Sequence, residues 1–357
     1  VSSLVDELIV NKYLIDCGTV ASQQMGRRPN ELRVNGTENL VAVISWRRAR
    51  LDIALITADN KIAFRDQIPL TEEEDKVDKI TSTFFNIMKP KVGDRRIMGL
   101  CIIIPGIIDA ENKRILSTVI GVGYSDPVVQ RFEEAFHDYP FCLLNDTACF
   151  AYAEYVFANI TEPNFAYINV SKGVGACLFA NGKMLRGAGS NATQFGHFSV
   201  DRNGPLCACG NHGCVERVVG ENALTERAEA CGIDLTRFAG RKPLYCDIGA
   251  MAEDGDVHAK ELIKDLAVDL SFAISNLITL FNPSLVVIGG MGVNLGPFFL
   301  SNIRDEVQNS GFKEFVSNTW IQYSTLGLDS ELGGAARYYI DHYYDFFEQM
   351  QGGLYAD

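Results

Sequence analysis

Apolar residues fall into runs of two different periods along this chain, and the switches between them predict most of its elements. Three short β-type runs follow one another across tight connections: LVAVIS from Leu40, LDIALIT from Leu51 and KIAFRDQI from Lys61. Spacing this close leaves no room for a crossover and predicts an antiparallel meander. A helical pattern covers Thr71 to about Met88, with Thr71 as its cap and acidic residues in the first turn. IMGLCIIIPG reads as a buried strand ending at Pro105-Gly106. Val128–Phe136 reads as helix, and FCLL as a second buried strand running into Asn145-Asp146.

A similar order then repeats. Ala148–Phe157 is helical, FAYINV is a strand, and GACLFANGKML is a hairpin turning at Asn181-Gly182. Helical patterns cover Glu221–Ala230 and His258–Phe281. LVVIGG and WIQYSTL read as the last strands, and Leu332 to about Met350 as the last helix. Residues 1–35 read differently. Leu4, Val5, Leu8 and Ile9 form one apolar helical face, with Ser2 and Ser3 at its start as an N-cap. Lys12–Ile15 then suggests a short strand, followed by a polar stretch to Gly26-Arg27-Arg28-Pro29.

Composition narrows the classes. At 357 residues, with 47% hydrophobic and 22% charged residues, the chain is expected to be soluble, globular and built of two or three domains. No apolar run is long enough to insert in a membrane. Ten cysteines without a secretory signal point to a reducing cytoplasm. A net charge of −13 argues against nonspecific nucleic-acid binding over the whole surface, though not against a small local DNA-binding module. The chain begins without Met, so an upstream segment is expected.

The strongest chemical signal is HFSVDRNGPLCACGNHGCVE, from His197 to Glu216. Cys207, Cys209 and Cys214 lie within eight residues broken by Gly210 and Gly213, so they form a tight loop rather than a helix or strand face. Three thiols and one imidazole make the closed N/S tetrahedron that Zn²⁺ prefers in structural sites. His197 is the expected fourth ligand; spacing leaves His212 as its rival.

This loop, together with Val170-Ser-Lys-Gly173-Val-Gly175-Ala-Cys-Leu178, Gly187 and Gly196-His197, resembles the signature of the ROK family of repressors, open reading frames and kinases. Cys177 departs from it, standing where a small Gly or Ala is usual. The resemblance covers nearly the whole chain. It implies an α/β fold of the actin-like ATPase (ribonuclease H-like) type, duplicated and carrying a zinc loop. It also implies that residues 1–35 are the C-terminal part of a winged helix-turn-helix DNA-binding domain and its linker. Ser2 and Ser3 at the recognition helix, and Arg27 and Arg28 on a basic connector after the wing, would then meet DNA. Residues 36–147 plus 339–357 would form a first lobe. Residues 148–338 would form a second, with the zinc loop and a dimer interface.

The resemblance also names a sugar site: Pro105, Gly106, Asn145, Asp146, Gln194, His197 and Glu216. Gln194 stands where the family carries Glu, which turns a charge-assisted hydrogen bond into a neutral one. Asp146 sits at the position of the kinases' catalytic Asp, yet the kinase reading fails at the first phosphate loop. There the turn is Ser45-Trp46-Arg47-Arg48-Ala49-Arg50, with no Gly to let the backbone approach a triphosphate and no acid to organise Mg²⁺. Trp46 and the arginines are expected to fill that space, and the arginines offer an anchor for a sugar phosphate. No phosphoryl transfer is therefore expected. The leading reading is a regulator, of the sugar-responsive repressor branch, that binds an operator as a homodimer or tetramer. It would answer to a sugar, a sugar phosphate or a sugar-transport protein. A sugar kinase and a sugar-binding protein without a DNA partner are the rivals.

Overall fold

The computed structural model describes residues 2–19, 30–110, 112–118, 120, 127–188 and 192–344. The chain divides into two compact units, residues 1–153 with 329–357, and residues 154–328.

The first unit opens with the helix Ser2–Val10 and an antiparallel pair, β1 (Leu14–Thr19) and β2 (Asn30–Val34). Ser2 and Ser3 are the first residues of that helix rather than residues preceding it. Its apolar face is not sunk in a core: Leu4 is exposed, and Val5, Leu8 and Ile9 are half-buried. Arg27 and Arg28 are expected on a basic connector after the wing. Their placement lies outside the described residues. Nor is the passage into the body a loose linker. Tyr13 is buried, its hydroxyl 2.9 Å from that of Tyr344, with Arg96 stacked over its ring at 4.7 Å. The amide of Asn39 donates to the carbonyls of Lys12 and Asn35.

The sheet of this unit contains β3 (Asn39–Trp46), β4 (Arg50–Thr57), β5 (Ile62–Pro69) and β6 (Arg96–Ile104). After the small hairpin β7 (Gly106–Asp109) and β8 (Arg114–Thr118), the strand β9 (Phe141–Asn145) completes it, in the order β5-β4-β3-β6-β9. β3, β4 and β5 form the expected meander, and β6 and β9 join in parallel. Both β3 and β6 are buried along most of their length, which is why they read as unbroken apolar runs. The helix expected over 71–88 is shorter, Lys76–Thr83, and continues as a widened turn, Phe84–Met88. Asp75, not Thr71, caps it, accepting from Asp78 N–H. Before it, Glu74 accepts from Thr71 N–H at 2.6 Å, a local bond that competes with helix formation. The helix Ser330–His342 belongs wholly to this unit, so the boundary falls before Asp329 rather than at 339.

The second unit repeats the plan: β10 (Phe165–Val170), β11 (Val174–Ala180), β12 (Lys183–Met184), β13 (Leu285–Gly289) and β14 (Trp320–Tyr323), in the order β12-β11-β10-β13-β14. Again three antiparallel strands lead into two parallel ones. The β11–β12 turn at Asn181-Gly182 has positive φ at both residues (52° and 73°), the hairpin geometry that Asn-Gly favours. The helices Glu221–Ala230, Tyr245–Glu253, Val257–Phe281 and Gly296–Asn309 supply much of its core with Ile168, Val286 and Ile288.

Candidate functional site

Backbone pairing closes the segment from His197 to Glu216 onto itself. Val200 N–H donates to Gly213 O at 2.8 Å and Val215 N–H to Phe198 O at 3.0 Å, while Leu206 bridges His212. One ligand atom each from His197, Cys207, Cys209 and Cys214 then lies within 4.8 Å of all the others. Cys207 Sγ is 3.6 Å from His197 Nδ1, and Cys209 Sγ is 3.6 Å from Cys214 Sγ. A tetrahedral cation with bonds of about 2.3 Å to sulfur holds its sulfurs roughly 3.8 Å apart, so this donor set fits one. Burial and the neighbouring Cys209 and Cys207 push the Cys214 thiol up to about 12. A bound cation stabilises the thiolate and reverses that. His212 is not in the set: its Nδ1 stands 3.0 Å from Gly204 O.

The same loop is pressed onto β11. His197 ends the short turn Phe195–His197, and a Cβ placed on Gly196 would lie 1.8 Å from Val174 O. Only glycine permits that approach. Glu216, in the first turn of Val215–Val219, accepts from Val174 N–H at 3.3 Å, so it is tied to the Gly173-Val-Gly175 turn. Gln194, just before the turn, is exposed.

In the first unit, Pro105-Gly106 and Asn145-Asp146 come together at the carboxyl ends of β6 and β9, because Ile104 pairs with Asn145 in the parallel ladder. The Asn145 amide donates to Gly106 O, and its carbonyl oxygen accepts from Ala148 N–H at 3.1 Å. Strand ends of a parallel sheet are where α/β proteins gather polar ligand groups. Asp146 opens the helix Asp146–Phe157, and its carboxylate accepts from Thr147 N–H at 2.8 Å. Burial raises its pKa while the charge of Arg47 pulls it down.

Arg47 is where the structure adds most to the sequence. Its guanidinium contacts Glu331 and lies 3.5 Å from Asp52. Glu331, at the start of the helix Ser330–His342, is 1% exposed. Burial pushes its carboxyl up to about 7, Arg47 opposing and Asp146 reinforcing. Arg50 is likewise held by Asp52 at 2.9 Å. Two of the three arginines offered as a sugar-phosphate anchor are thus spent on internal carboxylates. Trp46 does not fill the turn as expected; it is 2% exposed and packs in the core of its unit. Neither Asp52 nor Glu331 was marked by any local motif, since Glu331 meets Arg47 across 284 residues.

The ROK family model matches residues 45–341. The xylose repressor of Bacillus subtilis is 26% identical over 250 residues, 70% of this chain and 62% of that protein, so the aligned part spans under two thirds of that relative. The DNA-binding transcriptional dual regulator NagC of Escherichia coli is 26% identical over 345 residues, 92% of this chain and 83% of that protein. Among solved structures, a ROK family transcriptional regulator described as a homolog of E. coli MLC superposes with a TM-score of 0.81 at 23% identity, over 94% of this chain and 86% of the other. A ROK family glucokinase from Streptomyces griseus, in complex with glucose and AMPPNP, gives 0.69 at 22%, over 83% and 98%. These likenesses carry the actin-like α/β fold of both branches. With the family model matching most of its length, this chain belongs to the ROK family.

Proposed function

We propose that this chain is the effector-responsive body, with part of the DNA-binding head, of a transcriptional regulator of carbohydrate genes that works without catalysis in the cytoplasm. The observation that carries the non-catalytic reading is Arg47, bound to Asp52 and Glu331 at the turn where the family's kinases receive ATP phosphates. A glycine-free turn keeps its backbone from approaching a triphosphate closely, and the Arg47 guanidinium occupies the carboxylates that would otherwise be free to organise a metal for phosphoryl transfer.

In this reading His197, Cys207, Cys209 and Cys214 hold Zn²⁺, a structural ion that orders the loop around them. Zinc supplies no chemistry beyond fixing His197, whose second ring nitrogen is proposed to face a sugar hydroxyl. Pro105, Gly106, Asn145, Asp146, Gln194 and Glu216 complete the sugar-contacting set. A neutral sugar is favoured over a sugar phosphate because Arg47 and Arg50 already hold carboxylates. The sugar acts on DNA binding only through different affinities for the operator-competent and operator-released states. The helix Ser2–Val10 and the β1–β2 pair are proposed as recognition helix and wing. Its half-exposed apolar face is what a helix shows when its packing partners belong to a separate head. A homodimer, or a tetramer of two, pairs the heads on a palindromic operator.

The test uses the full-length protein on promoter DNA in mobility-shift assays, with calorimetry against a hexose panel. A shift reversed by one monosaccharide is the expected result. A shift untouched by every sugar assigns control to a transport protein instead. ATP-dependent phosphorylation of any hexose at a kinase-like rate restores the enzyme reading that the likeness to glucokinases keeps in view.

A further inference from the structure

Between the widened turn Phe84–Met88 and the start of β6 runs Lys89-Pro-Lys91-Val-Gly-Asp-Arg95-Arg96, four cations in eight residues of a chain whose net charge is −13. Elsewhere in the first unit arginines are taken up by carboxylates: Arg33 by Glu31, Arg47 by Glu331, Arg65 by Asp329 and Arg131 by Asp75. These four are held differently. Lys89 Nζ stands 5.5 and 5.4 Å from the ring centres of Phe85 and Tyr139, and Lys91 Nζ 5.8 Å from that of Phe64. Arg95 donates to the carbonyls of Val92 and Lys91 at 2.9 and 2.8 Å, and Arg96 stacks on Tyr13. Among the described residues, then, their partners are rings and carbonyls. A ring face or a carbonyl fixes a cation in place without neutralising it, so its charge stays available to an anion. Lys89, Lys91 and Arg96 are exposed and Arg95 is half-buried; Asp94 is the one acid in the run.

Arg96 ties one end of this strip to the N-terminal elements. Its guanidinium lies 4.7 Å from the centre of the Tyr13 ring, and Tyr13 stands between the helix Ser2–Val10 and β1. Seven residues of chain from Lys89 to Arg96 reach at most about 24 Å, the length of roughly seven base pairs of duplex. A ligand that engages the head and continues past it meets this strip next. Duplex DNA is such a ligand, a rod with a phosphate every 3.4 Å or so along each strand. A chain this acidic repels a polyanion over most of its surface, so its body can approach DNA only where unneutralised cations gather.

We propose that Lys89, Lys91, Arg95 and Arg96 form a second DNA-contacting surface, on the first unit itself, which holds phosphates flanking the operator and reads no bases. The inference rests on the DNA-binding regulator proposed above and adds to its head a contact made by the body. Phosphate contacts of this kind supply affinity and orientation, whatever the flanking sequence.

Fluorescence anisotropy of the full-length protein on a labelled promoter duplex tests this, with the duplex cut back from either end in two-base-pair steps. Wild-type affinity is expected to fall as the outer flank is removed, before any loss from the specific bases. Scrambling that flank at constant length should leave affinity unchanged. The variant Lys89→Gln, Lys91→Gln, Arg95→Gln spares Arg96, which clasps Tyr13. It should ignore trimming of the flank, bind the long duplex at least about tenfold more weakly, and lose about 2.7 from the slope of log K against log salt, about 0.9 for each charge removed. Lys89→Arg with Lys91→Arg keeps the charges and should bind like wild type, which separates loss of charge from loss of fold. Wild-type binding indifferent to flank length, a glutamine variant with an unchanged salt slope, or an arginine variant as weak as the glutamine one would each overturn the inference and leave the head-based reading standing. A wild type that binds promoter DNA of no length removes both.

Discussion

Arg47→Met keeps the unbranched stem of the side chain and removes its guanidinium, leaving Asp52, Asp146 and Glu331 without their common cation. Breaking one partner of a fully buried ion pair costs about 3–5 kcal/mol. Here the Glu331 side chain is 2% exposed but that of Arg47 is 29% exposed, so about 2–3 kcal/mol is expected at pH 8. The pH dependence gives the test its sign. Glu331 has its folded pKa raised to about 7 from an ordinary 4.5, so the fold holds this proton more tightly than the unfolded chain does. Its contribution is therefore most favourable below about pH 4.5, declines as pH rises towards 7, and is flat above. Without Arg47 the folded pKa rises further. The decline then continues above pH 7, by up to about 1.4 kcal/mol per unit. Urea denaturation followed by tryptophan fluorescence, in a Trp320→Phe background so that Trp46, buried in the same unit, reports alone, reads this directly. The gap between wild type and variant should be small at pH 5 and wide at pH 8. An equal gap at both, or one under about 0.5 kcal/mol at pH 8, would refute the assignment of Arg47 as the cluster's counter-charge.

Three further outcomes are expected. Cys214→Ser should abolish stoichiometric metal in elemental analysis and lower Tm, and a strong chelator should do the same to wild type; an undiminished metal content would remove the tetrahedral site. Gly196→Ala forces a Cβ to 1.8 Å from Val174 O and should cost at least about 2 kcal/mol or prevent soluble expression, so a wild-type melting curve would contradict the close packing of the loop on β11. Arg27→Ala with Arg28→Ala should weaken operator binding across sequences and reduce the salt slope by about 2, measured as log K against log salt; an unchanged slope places these side chains away from phosphate.

What the sequence made legible follows from how local each signal is. Strands buried on both faces announce themselves as apolar runs, so β3, β4, β6, β10 and β13 could be read directly. The ligand cluster was equally plain, because three of its four members lie within eight residues. Only the fold could choose between His197 and His212, by spending His212 on Gly204 O. The hairpin of β7 and β8 and the helices Tyr245–Glu253 and Gly296–Asn309 went unread. Their patterns are short or interrupted by glycine, and a tertiary neighbour rather than local propensity decides them. The Arg47–Glu331 pair illustrates the same limit, since nothing near either residue points to the other.

The buried Tyr13, clamped by Arg96 and meeting Tyr344, has a mechanical consequence. A reading head hung on a supple tether would sample many spacings and would feel nothing of events in the body. Soldered at this joint, the helix Ser2–Val10 and the β1–β2 pair, proposed above as that head, turn with the first unit like the hand of a clock. In the regulator proposed above, small rotations of the first unit would become displacements at DNA, and loosening the joint is expected to uncouple effector binding from DNA release while leaving each intact.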